Sequence, residues 1–142
     1  MSGLQSAISS ESLYCTAYGN LLGYTTMTTS TLNPLTSADL QLLSQQFKQA
    51  MLSIYGNKLD QLVLFGSYAR GDFRADSDVD YLVVLKQDTV QFGIEVDKIS
   101  GPASELGLDY TVHISAKPVS SFSYRHSDSL FYQAVRLDGI QV

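Results

Sequence analysis

The sequence predicts a small α/β (α+β) domain, a short mixed β-sheet with helices packed against it. Three observations carry this. Apolar periodicity alternates between helical spacing and short β-branched runs, in the order helix, strand, strand, helix, strand, helix. The first two strand-like runs are separated by only about a dozen residues, which suits an antiparallel or tightly folded pair. The chain has 142 residues, 44% of them hydrophobic, enough for one domain with one core.

The elements follow in order. Residues 1–33 hold one charged residue, Glu11, among many serines and threonines, and show neither period. They are expected to form a flexible tail preceding a domain over 34–142. Two alternatives stand beside that reading. Tyr14, Tyr18, Leu21, Leu22 and Tyr24 could dock on the body of the domain, or the natural chain could begin at Met27. From Thr36, "TSADLQLLSQQFKQAMLSIYG" places Leu40, Leu43, Phe47, Ala50, Met51 and Ile54 on one helical face. Thr36 with Asp39 resembles a capping box, and Gly56 is a natural stop. "QLVLF" at 61–65 is a short buried strand, and "GSYARGD" a turn opening a short helix. "FRADS" is a loop, and "VDYLVVL" at 79–85 a second strand. "TVQFGIEVDKIS" is read as a helix ending near Gly101 and Pro102, with a brief resumption over "ASELG". "LDYTVHIS" at 108–115 is assigned as the third strand. "SDSLFYQAVRLDG" is a closing helix that stops at Gly139.

Composition narrows the function. A net charge of −5 argues against broad nucleic-acid binding, which needs a basic surface. It leaves room for a site that takes a nucleotide through metal ions. Cys15 is the only cysteine, so no internal disulfide forms. No secretory signal opens the chain, and no apolar run approaches the ~18 residues of a membrane span. A cytoplasmic location is the expectation.

The chemistry concentrates in "LFGSYARGDFRADSDVDYLVVL". Gly66 and Ser67 follow a strand and begin a helical turn. Glycine permits close approach of a ligand, and serine can cap the helix or offer its hydroxyl to a phosphate. Free N–H groups there favour an anion, and Arg70 lies one turn on. Alone, "GS" reads most often as a plain cap. Asp78 and Asp80 sit two apart at a strand start, so their side chains share a face. Two such carboxylates repel unless a cation lies between them or one is protonated. Mg²⁺ is held by one or two carboxylates plus substrate phosphates, and paired ions serve in-line displacement. Asp109, placed at the head of the last strand, is a third candidate: a metal ligand and a base for an attacking hydroxyl. For each carboxylate the plainer alternative is a solvated strand end. Gly-Ser, ten residues, then Asp-x-Asp arises by chance in about one chain in a thousand at average residue frequencies.

The stretch "GSYARGDFRADSDVD" resembles the signature of the DNA polymerase beta-like nucleotidyltransferase superfamily. It is most similar to the minimal (MNT) branch, and the resemblance runs from about residue 38 to the end. It implies that family's fold, a short mixed sheet with helices behind it. Gly66 and Ser67, with Arg70, would hold the triphosphate of ATP. Asp78, Asp80 and Asp109 would hold two Mg²⁺ ions, with Asp109 as base. The implied reaction moves a nucleoside monophosphate to a hydroxyl and releases pyrophosphate. The implied partner is a HEPN-domain toxin encoded nearby, adenylylated on a tyrosine, with this chain as antitoxin. The longer N-terminal tail departs from the family's pattern. Two further readings stay open: an aminoglycoside-type adenylyltransferase, and a module that neutralises its partner by contact alone. His113 is read as a packed or edge histidine. Arg125 and His126 are read as a solvated loop.

Overall fold

The computed structural model describes residues 11–15, 24–28 and 33–142. By its contacts the chain divides into two units, Met1–Leu32 and Asn33–Val142. In the first, β1 (Glu11–Cys15) pairs antiparallel with β2 (Tyr24–Thr28), Glu11 facing Thr28. These strands lie inside the stretch expected to be a tail. The rest of that stretch, and the docking expected of its aromatic side chains, fall outside the described residues.

The second unit opens with α1 (Ser37–Tyr55). Thr36 caps it as the sequence predicts: its Oγ1 accepts the Asp39 N–H at 3.1 Å and donates to Asp39 Oδ2 at 2.6 Å. Gly56 ends it with φ +55°, a conformation that strains other residues. Leu43, Phe47 and Met51 form its buried stripe. After a tight turn at Gly56–Lys58 come β3 (Leu59–Phe65) and the single turn α2 (Ser67–Arg70). β4 (Val79–Leu85) follows, then α3 (Phe92–Tyr110) and β5 (Ile114–Ser120). The chain closes with α4 (Ser121–His126), α5 (Leu130–Asp138) and the two-residue β6 (Ile140–Gln141).

The four strands run in the order β5-β4-β3-β6. β3 and β4 are antiparallel, as their short link requires, β4 and β5 are parallel, and β6 adds antiparallel to β3. The period of two along β4 sorts its residues between two layers. Val79, Tyr81, Val83 and Leu85 pack in the main core with α1 and α3. Leu82 and Val84 face a smaller core closed by Val135 of α5, with Val63 beside them. Burial on both faces explains why β4 reads as a nearly continuous apolar run. Polar pairs within the main core are satisfied: Ser44 Oγ and the Tyr81 hydroxyl lie 2.7 Å apart, and the Tyr55 hydroxyl donates to Glu95 Oε2 at 2.8 Å. Burial pushes the Tyr81 phenol up to about 12, so it remains a neutral hydroxyl.

Three sequence expectations are corrected. α3 does not stop at Gly101 and Pro102 but continues unbroken to Tyr110. The face Ile99, Ala103, Gly107 packs against the sheet, and this tertiary contact overrides the missing proline N–H. Tyr110 fastens the last turn to α1 through a 2.9 Å hydrogen bond to Gln46. The third strand therefore begins at Ile114, not Leu108, and Asp109 belongs to a helix end. Arg125 and His126 lie in α4 rather than in a loop. Among the described residues, no helix is long and apolar enough to cross a membrane.

Candidate active site

The site is built where β3 ends and β4 begins. β3 delivers the chain to Gly66, whose φ of +76° turns it sharply into α2. Gly66 itself stands at the helix cap, so Ser67 is the first helical residue, and no side chain caps this turn. The capping role open to Ser67 is thus not realised. Tyr68, buried, stacks on Phe73 with ring centres 4.4 Å apart and receives the Leu35 N–H on its hydroxyl at 3.3 Å. These contacts pin the turn. Gly71, at φ +86°, ends it and returns its N–H to Ser67 O at 2.8 Å. The chain then crosses residues 72–78, braced by the Arg74 N–H donating to Ser77 Oγ at 2.7 Å.

Asp80 stands in the sheet between Phe65 of β3 and Ser115 of β5. It lies two residues before Leu82 and so opens onto the α5 side. A Cβ added to Gly66 would run into the Asp80 carboxylate, so glycine at 66 is what leaves room for Asp80 there. Burial raises the Asp80 pKa above the usual carboxylate range, and the neighbouring Asp78 charge adds to this. Lys117, a Ser115 hydrogen bond and Arg70 pull in the other direction. Asp78 is more open, 51% exposed, with His113 Nδ1 at 3.4 Å from its Oδ2. The Val79 N–H donates to His113 O at 2.9 Å and fixes the start of β4 against β5. Arg70 is exposed and also pairs with Asp72 at 3.4 Å.

The structure thus brings together Gly66, Ser67, Arg70, Asp78 and Asp80. It does not bring in Asp109. That residue is exposed in the last turn of α3, five positions before β5 begins, and its charge is not among those acting on Asp80. Among the described residues, no three His, Cys, Asp or Glu side chains form a metal-holding group. Asp78 and Asp80 do fit a divalent cation whose remaining ligands come from phosphates and water. Their mutual repulsion, and the raised proton affinity of Asp80, are what a cation would relieve.

Sequence reasoning missed Ser115, Lys117 and Phe131, and read His113, which lies against Asp78, only as a packed or edge histidine. His113, just before β5, alternates with Ser115 and Lys117 within it, and the parallel register sets Ser115 beside Asp80 and Lys117 beside Leu82. Phe131 of α5 meets Phe65 edge-on at 5.5 Å and has the Lys117 Nζ over its ring at 5.1 Å. The polar period of two in "HISAK" was the available signal.

Residues 44–135, well over half the chain, match the family described as "Nucleotidyltransferase domain". Two relatives from Methanocaldococcus jannaschii carry the name "Putative protein adenylyltransferase". The one numbered MJ0141 is 43% identical over 72 residues, which are 50% of this chain and 70% of the relative. The other, MJ0604, is 35% identical over 72 residues, 51% of this chain and 65% of the relative. Among solved structures, a mutant of the toxin–antitoxin MntA-HpeT is 21% identical, covering 77% of this chain and 72% of its own, at a TM-score of 0.46. A toxin–antitoxin with AMP-PNP is 22% identical, covering 67% and 68%, at 0.45. Those structural likenesses are too loose to carry function. The match over residues 44–135, with the Gly66–Ser67 turn facing paired carboxylates, is what decides: the chain belongs to the nucleotidyltransferase-domain family.

Proposed function

We propose that this nucleotidyltransferase moves AMP from ATP, with Mg²⁺ as the divalent ion, to a hydroxyl on a protein. The acceptor is a tyrosine of a HEPN-type partner encoded nearby, which the transfer disarms in the cytoplasm, and residues 34–142 are the catalytic unit. A protein acceptor is supported by what the two relatives are named for. The HEPN-type tyrosine is supported by the resemblance of "GSYARGDFRADSDVD" to the minimal branch.

One observation carries the reading: Asp80 occupies the space that the missing Cβ of Gly66 leaves, with Asp78 beside it. Carboxylates and phosphate-binding turn therefore face one volume. There the backbone at Gly66 and the Ser67 hydroxyl hold the triphosphate, and Arg70 draws its charge in. Asp78 and Asp80 would hold the divalent ion, whose charge would offset that of the phosphates. The acceptor oxygen bonds to the α-phosphorus while the bond to the bridging oxygen breaks. Pyrophosphate leaves with that electron pair, and the hydroxyl proton passes to solvent.

The test is incubation with α-labelled ATP, Mg²⁺ and the HEPN-type protein encoded beside this gene. Label on a tyrosine of the partner, lost with Asp80→Asn, is the expected result. A partner that stays unlabelled while this chain binds ATP would overturn the protein acceptor.

A further inference from the structure

The family resemblance carries an expectation of two ions on three carboxylates, and the residues at hand do not meet it. Asp109 lies on the end of α3, and His113 with β5 offers an imidazole, a neutral hydroxyl and a cation in its place. We propose that the site takes a single divalent cation, shared between Asp78, Asp80 and the nucleotide's phosphates, and that β5 supplies further positive charge as the Lys117 ammonium. This deepens the proposed function and rests on it.

The argument is one of ligands and charge. A hard divalent ion needs oxygen donors, and Mg²⁺ is satisfied by one or two carboxylates with phosphates and water. One ion uses both carboxylates here. A second, about 3.5–4 Å away in a paired site, needs donors of its own. The groups at that level are Ser115 of β5, whose neutral hydroxyl stands beside Asp80 in the register, and His113 just before β5, whose Nδ1 lies against Asp78. Neither adds negative charge. Lys117 extends along the same face of β5, its Nζ held over the Phe131 ring at 5.1 Å, and its charge reaches Asp80, as does that of Arg70. These two cations oppose a second divalent ion and offset part of the charge it would have met.

The readout is stoichiometry. The whole protein is titrated with Mn²⁺ in the presence of saturating α,β-methylene-ATP. Bound ion is counted by electron paramagnetic resonance, and bound nucleotide by equilibrium dialysis. One Mn²⁺ per bound nucleotide is the expected result, and two would overturn the proposal. Ser115→Asp places a carboxylate beside Asp80 and is expected to raise the count to two. A folded S115D variant that still binds one would show that the missing carboxylate is not the limit, and would overturn it as well. Failure of the underlying reading looks different: no nucleotide is retained at any Mn²⁺ concentration.

Discussion

The β4 and β5 strands lie side by side in parallel register, yet one was legible in the sequence and the other was not. β4 is central, with both faces covered, so its residues must be apolar and β-branched whichever side they face. Any aspartate at its mouth stands out. β5 is an edge strand, and Pro118 within it is tolerated for that reason. Its polar residues alternate where the neighbouring site needs them. The apolar string "LDYTV" just before it looks more like a strand than the strand itself. In fact it ends α3, because Tyr110 is held to Gln46 and Thr111 takes the left-handed turn at φ +54°. The lesson is that central strands announce themselves by composition, while edge strands beside a site carry the site's chemistry in their pattern.

The sharpest way to break this comparison is at the mouth of β4. Asp80→Asn, or Asp78→Asn, is expected to cut transfer about a thousand-fold or more, in line with the several kcal/mol that held metal charge contributes. Steady-state transfer of label from ATP measures it. Gly66→Ala should come close behind. It forces a Cβ toward the Asp80 carboxylate at a positive φ, a backbone cost of about 1–3 kcal/mol, and should weaken nucleotide binding in the same measure. An alanine variant with unchanged ATP affinity would show that Gly66 and Asp80 do not share one volume.

A third expectation concerns the core behind the site. Tyr81→Phe strands the buried Ser44 hydroxyl and should destabilise the protein by about 1–3 kcal/mol while leaving ATP affinity alone. Urea unfolding reads the first and binding the second.

The fourth is linked to pH. Because the folded-state pKa of Asp80 is raised, folding favours its protonated form. Its contribution to stability is fully present below the unfolded carboxylate pKa and is lost as pH rises through the folded value. At neutral pH Asp80 is therefore a cost, carried for function. Asp80→Asn should raise the melting temperature at pH 7, and that gain should shrink as pH falls through the raised pKa. Removing Mg²⁺ should leave the variant's melting temperature unchanged. A variant less stable than the wild type at pH 7 would contradict this.

The smallest expected effect is at Asp109, where Asn should leave transfer within about two-fold, as for other exposed positions away from the chemistry.

Much of the candidate site's geometry was visible from local rules. Gly66, Ser67, Asp78 and Asp80 lie within fifteen residues of one another, and strand, turn and strand fix their geometry. Local rules also gave α1, through its Thr36 cap and apolar stripe. What stayed hidden depends on contacts distant in sequence. Pro102 is accommodated because α3 packs on the sheet. Ser115 and Lys117 meet Asp80 only once the β4–β5 register is set. Phe131 reaches Phe65 from α5, across a gap of 66 positions. Ile140 and Gln141 form a strand only because β3 offers an open edge. A period of two or 3.6 carries no record of such meetings.

The most direct test sets Asp80→Asn beside Asp109→Asn in one measurement: binding of Mn²⁺–α,β-methylene-ATP by isothermal titration to the folded variants. The account predicts that Asp80→Asn loses the complex while Asp109→Asn binds as the wild type does. Equal loss in both would contradict it, since Asp109 would then belong to the site.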